Sequence, residues 1–163
     1  MELTKMSNKL FSTWLKATLI SLGICVIVFL TLGDYGVSTD EAEYIQAGAL
    51  NIQWFKKPSL NTIDTFWARN SEHPPLVKIL TGATQYIFQK KIPLFNEIIA
   101  ARLEVLLFVF LLTFFLFLFI AELYGEGIAF FITAMFSLLP RVFYHAHLAC
   151  LDYPLTTLWV ITI

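Results

Sequence analysis

Residues 105–120 form one unbroken stretch of almost wholly aliphatic and phenylalanine residues, and 17–32 form a second uncharged apolar run. A helix rises 1.5 Å per residue, so about 20 residues cross the hydrocarbon core of a bilayer. Both runs reach that length once their flanks are counted, Trp14, Leu15 and Gly33 for the first and 98–121 for the second. Composition points the same way. Charged residues make up 14% of the chain, against roughly 25% in a soluble domain, and phenylalanine is abundant, which suits lipid-facing surfaces. A net charge of −1 leaves no basic field to neutralise phosphates, which excludes nucleic acid as a partner. Cys25 and Cys150 are the only cysteines and read as packing residues, not a disulfide or metal pair. The sequence therefore predicts an all-α, multi-pass integral membrane protein.

Lys5, Lys9 and Lys16 precede the first run and give it the look of a signal peptide. The run is long for that role, and Thr31-Leu32-Gly33-Asp34-Tyr35 is a poor small-residue cleavage site, so an uncleaved anchor is expected. The positive-inside rule then leaves 1–16 in the cytoplasm, with span 1 at 17–33 and an external segment at 34–97. Span 2 follows at 98–121, a cytoplasmic turn at 122–127, span 3 at 128–149, and an external turn at 150–153. Residues 154–163 read as the opening of a fourth span, so the chain is expected to be the N-terminal part of a longer protein, incomplete and inactive alone.

The external segment is too charged to enter lipid and too aromatic for a flexible linker. Ser38 with Glu41 three residues on fits a capping box, placing a helix start near Thr39. That helix continues through 45–55 to Lys56-Lys57 and the Pro58 break, with Trp54 and the lysines suited to the headgroup layer. Residues 58–71 read as loop. After Pro74-Pro75 a second short helix over 76–88 brings Leu76, Ile79, Leu80, Ala83 and Ile87 to one face.

Ionisable residues beside such apolar runs are expensive unless they work there. Thr39-Asp40-Glu41-Ala42-Glu43-Tyr44 puts two acids in the first turn of the predicted helix, where they complement its dipole or act as a base at the membrane surface. Glu72-His73-Pro74-Pro75-Leu76-Val77-Lys78 is stiffened by its prolines, which fix where Glu72 and His73 point. Lys78 on the next turn is placed to hold a phosphate as it leaves with negative charge. Incidental polar residues beside a helix-start proline pair are the plainer reading.

The ordered set of Asp40-Glu41, His73-Pro74-Pro75-Leu76 with Lys78, Arg102 and Leu151-Asp152-Tyr153-Pro154 resembles the protein O-mannosyltransferase superfamily, and Glu72 before the proline pair is similar to a motif of bacterial aminoarabinose transferases. The resemblance implies a GT-C fold, with membrane helices around an outward-facing cavity and short juxtamembrane helices in the first loop. It implies sugar transfer, with inversion, from a polyprenyl-phosphate donor to a protein or lipid-linked acceptor at the outer face of the cell membrane. In that scheme Asp40 is the general base and Glu41 its secondary acid. Lys78 and Arg102 bind the donor phosphate, Tyr44, His73 and Asp152 line the substrate cavity, and Glu72 is the candidate ligand if a divalent metal takes part. His73 stands where the aminoarabinose group has lysine, which leaves the acceptor open. No Gly-rich phosphate loop is present, as expected where nucleotide sugars are not used.

His145 and Asp152, seven residues apart, are expected to share one helical face, and His147 to join a polar outer rim. Arg102 has a plainer reading too, as partner of Glu104 or of a loop acid. The rival to an enzyme is a non-catalytic transporter or assembly factor. A transporter is expected to place polar groups at mid-membrane on broken helices. Here they cluster at the outer ends of the spans.

Overall fold

The structure, a computed structural model, describes residues 2–162, with side chains from residue 10 onward. The side chains of Lys5 and Lys9, and Ile163, lie outside the described residues. Nine α-helices and no strand are found among the described residues, as the apolar periodicity requires. Two of these stretches are long and apolar enough to cross a membrane, Leu10–Thr31 and Glu97–Tyr124.

Helix α1 (Glu2–Thr31) contains the first run. The second is divided into α5 (Glu97–Arg102) and α6 (Val105–Tyr124), with a short irregular turn at Leu103-Glu104 between them. Helix α6 is the centre of the bundle, packing against α1, α7 (Glu126–Ser137) and α9 (Asp152–Ile161). Val28 of α1 and Leu32 just past its end meet Val105, Phe108, Val109 and Leu112 of α6, and Ala146 and Tyr153 complete that core. Only a narrow stripe of α1 is covered: Ala17, Ser21 and Val28 are buried, while Leu19, Leu22, Val26, Ile27 and Leu30 are bare. A soluble monomer rarely exposes so much contiguous apolar surface, and these two helices support membrane association. At the end of the bundle remote from the first loop, Lys16 Nζ meets Glu126 Oε2 at 2.5 Å.

The first loop is helical, as its capping signal and proline pair predict. Helix α2 (Thr39–Lys56) crosses α4 (Pro75–Gln85). Gly48 and Gly82 set the crossing: a Cβ on Gly48 would lie 2.4 Å from the Lys78 carbonyl oxygen, and one on Gly82 2.1 Å from the Gly48 carbonyl oxygen. Only glycine lets the two backbones touch this closely. Residues 58–71, expected as loop, contain a 3₁₀ turn (Leu60–Thr62) and the short α3 (Ile63–Trp67). Buried Asn51 faces α3, and with its amide oriented to suit its neighbours its nitrogen donates to the carbonyls of Phe66 at 3.0 Å and Ala47 at 2.9 Å.

The face on which α4 packs departs from the amphipathic expectation. Its buried residues are Val77, Lys78, Thr81, Gly82 and Gln85, while Leu76 and Ile87 are exposed. The face with Gly82 packs on α2 because the glycine contact needs it there, so the apolar stripe is split: Ile79, Leu80 and Ala83 are half-buried, with Leu80 against the α1–α6 core, and Leu76 and Ile87 are turned outward. Past Gln85 the helix widens into a π-helical turn (Tyr86–Lys91).

The 128–149 span is not one helix. Helix α7 stops at Ser137, and α8 (Pro140–His145) starts anew. The proline has no N–H to continue the ladder and forces Leu139 into an extended conformation (φ −57°, ψ 129°). Residues 146–151 then form an irregular buried turn.

Candidate functional site

The polar residues singled out in the sequence gather where α1 ends, α2 begins, α5 ends and the 146–151 turn folds back. Ser38 caps α2, its hydroxyl accepting from the Glu41 N–H at 3.2 Å. The other half of a capping box is absent, because the Glu41 carboxylate turns inward instead. Arg102 Nε donates to Glu41 Oε1 at 2.7 Å and Nη2 to Oε2 at 2.8 Å, and the Ala149 N–H donates to Oε1 at 3.0 Å. Both side chains are fully buried.

Arg102 also donates from Nη1 to the carbonyls of Leu32 (2.6 Å) and Tyr35 (3.0 Å), and from Nη2 to that of Gly36 (3.0 Å). A guanidinium has five N–H donors, and all five are engaged. This corrects two sequence expectations. Arg102 has no donor left for a lipid phosphate, and Glu41 is no solvent-facing acid. Together they lock the α1–α2 connection onto α5 and the 146–151 turn. Glu104 is not the partner of Arg102: it is buried with neither carboxylate oxygen hydrogen-bonded.

Asp40, one residue earlier, is exposed. The helix register that buries Glu41 turns Asp40 outward. Tyr44, one turn on, is buried beneath it, packed with Val77, Leu148 and Cys150, and its ring centroid lies 5.9 Å from that of His73. Burial pushes the Tyr44 hydroxyl up to about 12, and the charges of Cys150, Asp152 and Asp40 add to the rise while Asn70 opposes it. Near neutral pH it is a neutral phenol flanked by two exposed carboxylates, Asp40 and Asp152. The α2–α4 crossing brings Tyr44 and His73 together, and Asp40 and Asp152 lie near the Tyr44 hydroxyl.

Lys78 does not project freely into this region. It is 3% exposed, and its Nζ donates to the carbonyls of Asn70 at 2.5 Å and His73 at 2.9 Å. Asn70 takes a left-handed conformation (φ 54°), which asparagine tolerates better than most residues. The ammonium therefore clamps the 70–73 segment, with one of its three N–H groups remaining. Burial draws its pKa below the usual lysine value and the neighbouring charge of Glu72 partly offsets this. Glu72 and His73 are exposed. Sequence reasoning missed Arg69, which pairs with Glu43 at 2.8 Å beside this segment. An arginine in an irregular loop carries no spacing signal.

His145 and Asp152 meet, but not on a shared helical face. Helix α8 ends at His145 and α9 starts at Asp152, and the intervening turn returns His145 Nδ1 to 3.4 Å from Asp152 Oδ2. Cys150 Sγ also lies 3.4 Å from Asp152 Oδ2. Among the described residues, these three are the side chains grouped as metal ligands are, and Glu72 is not among them. His147 is not part of an outer rim. It is fully buried, with Nδ1 2.6 Å from the Phe143 carbonyl and Nε2 2.7 Å from the Thr31 hydroxyl, and it ties the end of α1 to the turn.

Comparison of the chain with protein-family models, with curated proteins and with solved structures finds no match.

Proposed function

We propose that the chain carries the base side and part of the donor side of a GT-C type, multi-pass membrane glycosyltransferase. Such an enzyme moves a sugar, mannose by resemblance, from a polyprenyl phosphate to a protein or glycolipid acceptor at the outer membrane face. One observation carries the reading: Asp40 stands exposed directly beside a carboxylate that is fully buried and neutralised by Arg102. The buried pair fixes the first turn of α2, so the free acid is held in place at the edge of the apolar bundle.

Asp40 takes the proton of an acceptor hydroxyl as that oxygen attacks the anomeric carbon from the face opposite the phosphate. The carbon–phosphate oxygen bond breaks, the configuration inverts, and the polyprenyl phosphate departs with the negative charge. Cations stabilise such a leaving group best in a site that excludes water. The remaining N–H of Lys78 is the charge available for this, and Arg102 is reassigned to holding the scaffold. Exposed His73, backed by the buried ring of Tyr44, forms the wall against which a sugar packs, and Asp152 faces the acceptor.

Membranes carrying the protein and a radiolabelled polyprenyl-phosphate sugar test the reading. Asp40→Asn is expected to slow transfer by about 10²–10⁴-fold, the usual effect of losing a general base, at an unchanged protein level. Near-normal transfer by that variant removes Asp40 from the role. Absence of transfer by the wild type from any polyprenyl-phosphate sugar overturns the function.

A further inference from the structure

Helix α8 ends and α9 begins around a tight group of three different ligand-type side chains. His145 Nδ1 and Cys150 Sγ each lie 3.4 Å from Asp152 Oδ2, and all three ligand atoms fall within 4.8 Å of one another. A tetrahedral zinc ion has bonds of about 2.0–2.1 Å to nitrogen or oxygen and about 2.3 Å to sulfur. Tetrahedral angles then give edges of about 3.3 Å between nitrogen and oxygen and about 3.6 Å between sulfur and oxygen. Both observed edges sit near these values. The third, from sulfur to nitrogen, lies within 4.8 Å and must close by up to about 1.2 Å to reach the tetrahedral edge.

A second observation concerns His145 itself. Its Nδ1 is shielded from solvent and makes no hydrogen bond, its polar neighbour Asp152 Oδ2 lying 3.4 Å away outside hydrogen-bond geometry. A nitrogen shut off from water without a hydrogen bond costs stability unless something occupies it. A cation between Nδ1, the thiolate and the carboxylate satisfies all three. With neutral imidazole, thiolate and carboxylate, a dication gives a site of zero net charge, the arrangement least costly beside an apolar bundle.

We propose that His145, Cys150 and Asp152 form a zinc site with three protein ligands and one open position. On binding, the Cys150 thiol proton goes to solvent, and no redox change takes place. A cavity of about 340 Å³, lined in part by Arg141, His145, Asp152, Tyr153 and Thr156, adjoins the group. The open position faces this cavity, where a water or an oxygen ligand completes the tetrahedron, as in zinc sites that retain an exchangeable position. The ion would also pin the ends of α8 and α9 together across a turn that His147 and the Glu41 carboxylate tie to α1 and α2. The site stands independently of sugar transfer, since zinc binding is measured without any substrate.

Cobalt titration of the metal-free protein in detergent micelles tests this, because a tetrahedral cobalt thiolate has a charge-transfer band in the near-ultraviolet and strong visible bands. The expected result is one equivalent of cobalt showing both features, displaced by one equivalent of zinc. Cys25→Ser should retain the spectrum and Cys150→Ser should lose the charge-transfer band. Asp152 is exposed, so Asp152→Asn should keep its helical circular dichroism while binding cobalt at least tenfold more weakly. No thiolate band in the wild type reduces the group to a His145–Asp152 ion pair and overturns the site. A band that survives Cys150→Ser, or unaltered affinity in both Asp152→Asn and His145→Ala, overturns it equally.

Discussion

Asp40 and Glu41 are adjacent in the chain and opposite in fate. One is exposed, and the other is fully buried on Arg102. Breaking such a pair by removing one partner leaves a buried charge without compensation, which costs about 3–5 kcal/mol. Arg102→Met additionally strips donors from the carbonyls of Leu32, Tyr35 and Gly36. We expect Arg102→Met and Glu41→Leu each to lower unfolding free energy in mixed micelles by that amount, and the double variant to cost less than the two losses added together. A loss below about 1 kcal/mol in Arg102→Met would show that the pair does not hold the fold. Asp40→Asn serves as the contrast, since a solvated carboxylate at this position contributes only its interaction with the helix dipole.

At the scale of elements, the contact between α2 and α4 rests on two glycines. Gly82→Ala puts a methyl group 2.1 Å from the Gly48 carbonyl oxygen, a backbone atom that cannot move without shifting the helix. Overpacking of this kind typically costs about 1–3 kcal/mol. The two helices should separate, loosening the 70–73 segment that Lys78 clamps and raising its hydrogen exchange. Gly23→Ala in α1 is the control: nothing lies within 4 Å of the added methyl, so it should leave exchange and stability unchanged or improve stability slightly through helix propensity. Equal behaviour of the two variants would mean that the crossing is not set by close approach. The π-helical turn at Tyr86–Lys91 has no comparable sequence cause that we can name.

For the whole molecule, the bare apolar surfaces of α1 and α6 and the basic residues before the first run predict an orientation. Cysteines introduced singly at Ser59 and Gly125, in a chain with Cys25 and Cys150 replaced, should differ in reach. An impermeant thiol reagent is expected to label position 59 from outside and position 125 only after permeabilisation. The reverse pattern would invert the topology, and with it the side of the membrane on which Asp40 lies.

Local chemistry was readable from residues alone. The two long apolar helices, the Ser38 cap, the Pro58 stop and the start at Pro75 follow from hydrophobic run length, hydroxyl capping and proline geometry. These act over a few residues, so their signals are contiguous in the chain. The Pro140 break was legible too, but the apolar run around it outweighed the missing N–H. Partnerships were not legible. Glu41 with Arg102 spans 61 residues and Glu41 with Ala149 spans 108, and no spacing rule reaches so far. The apolar face of α4 was visible as a stripe, yet that Leu80 packs on the bundle while Leu76 and Ile87 turn outward was decided by the approach of Gly48 and Gly82. A hydrophobic stripe specifies burial only where water is the alternative. Beside a lipid phase it is equally content facing outward, and backbone packing makes the choice.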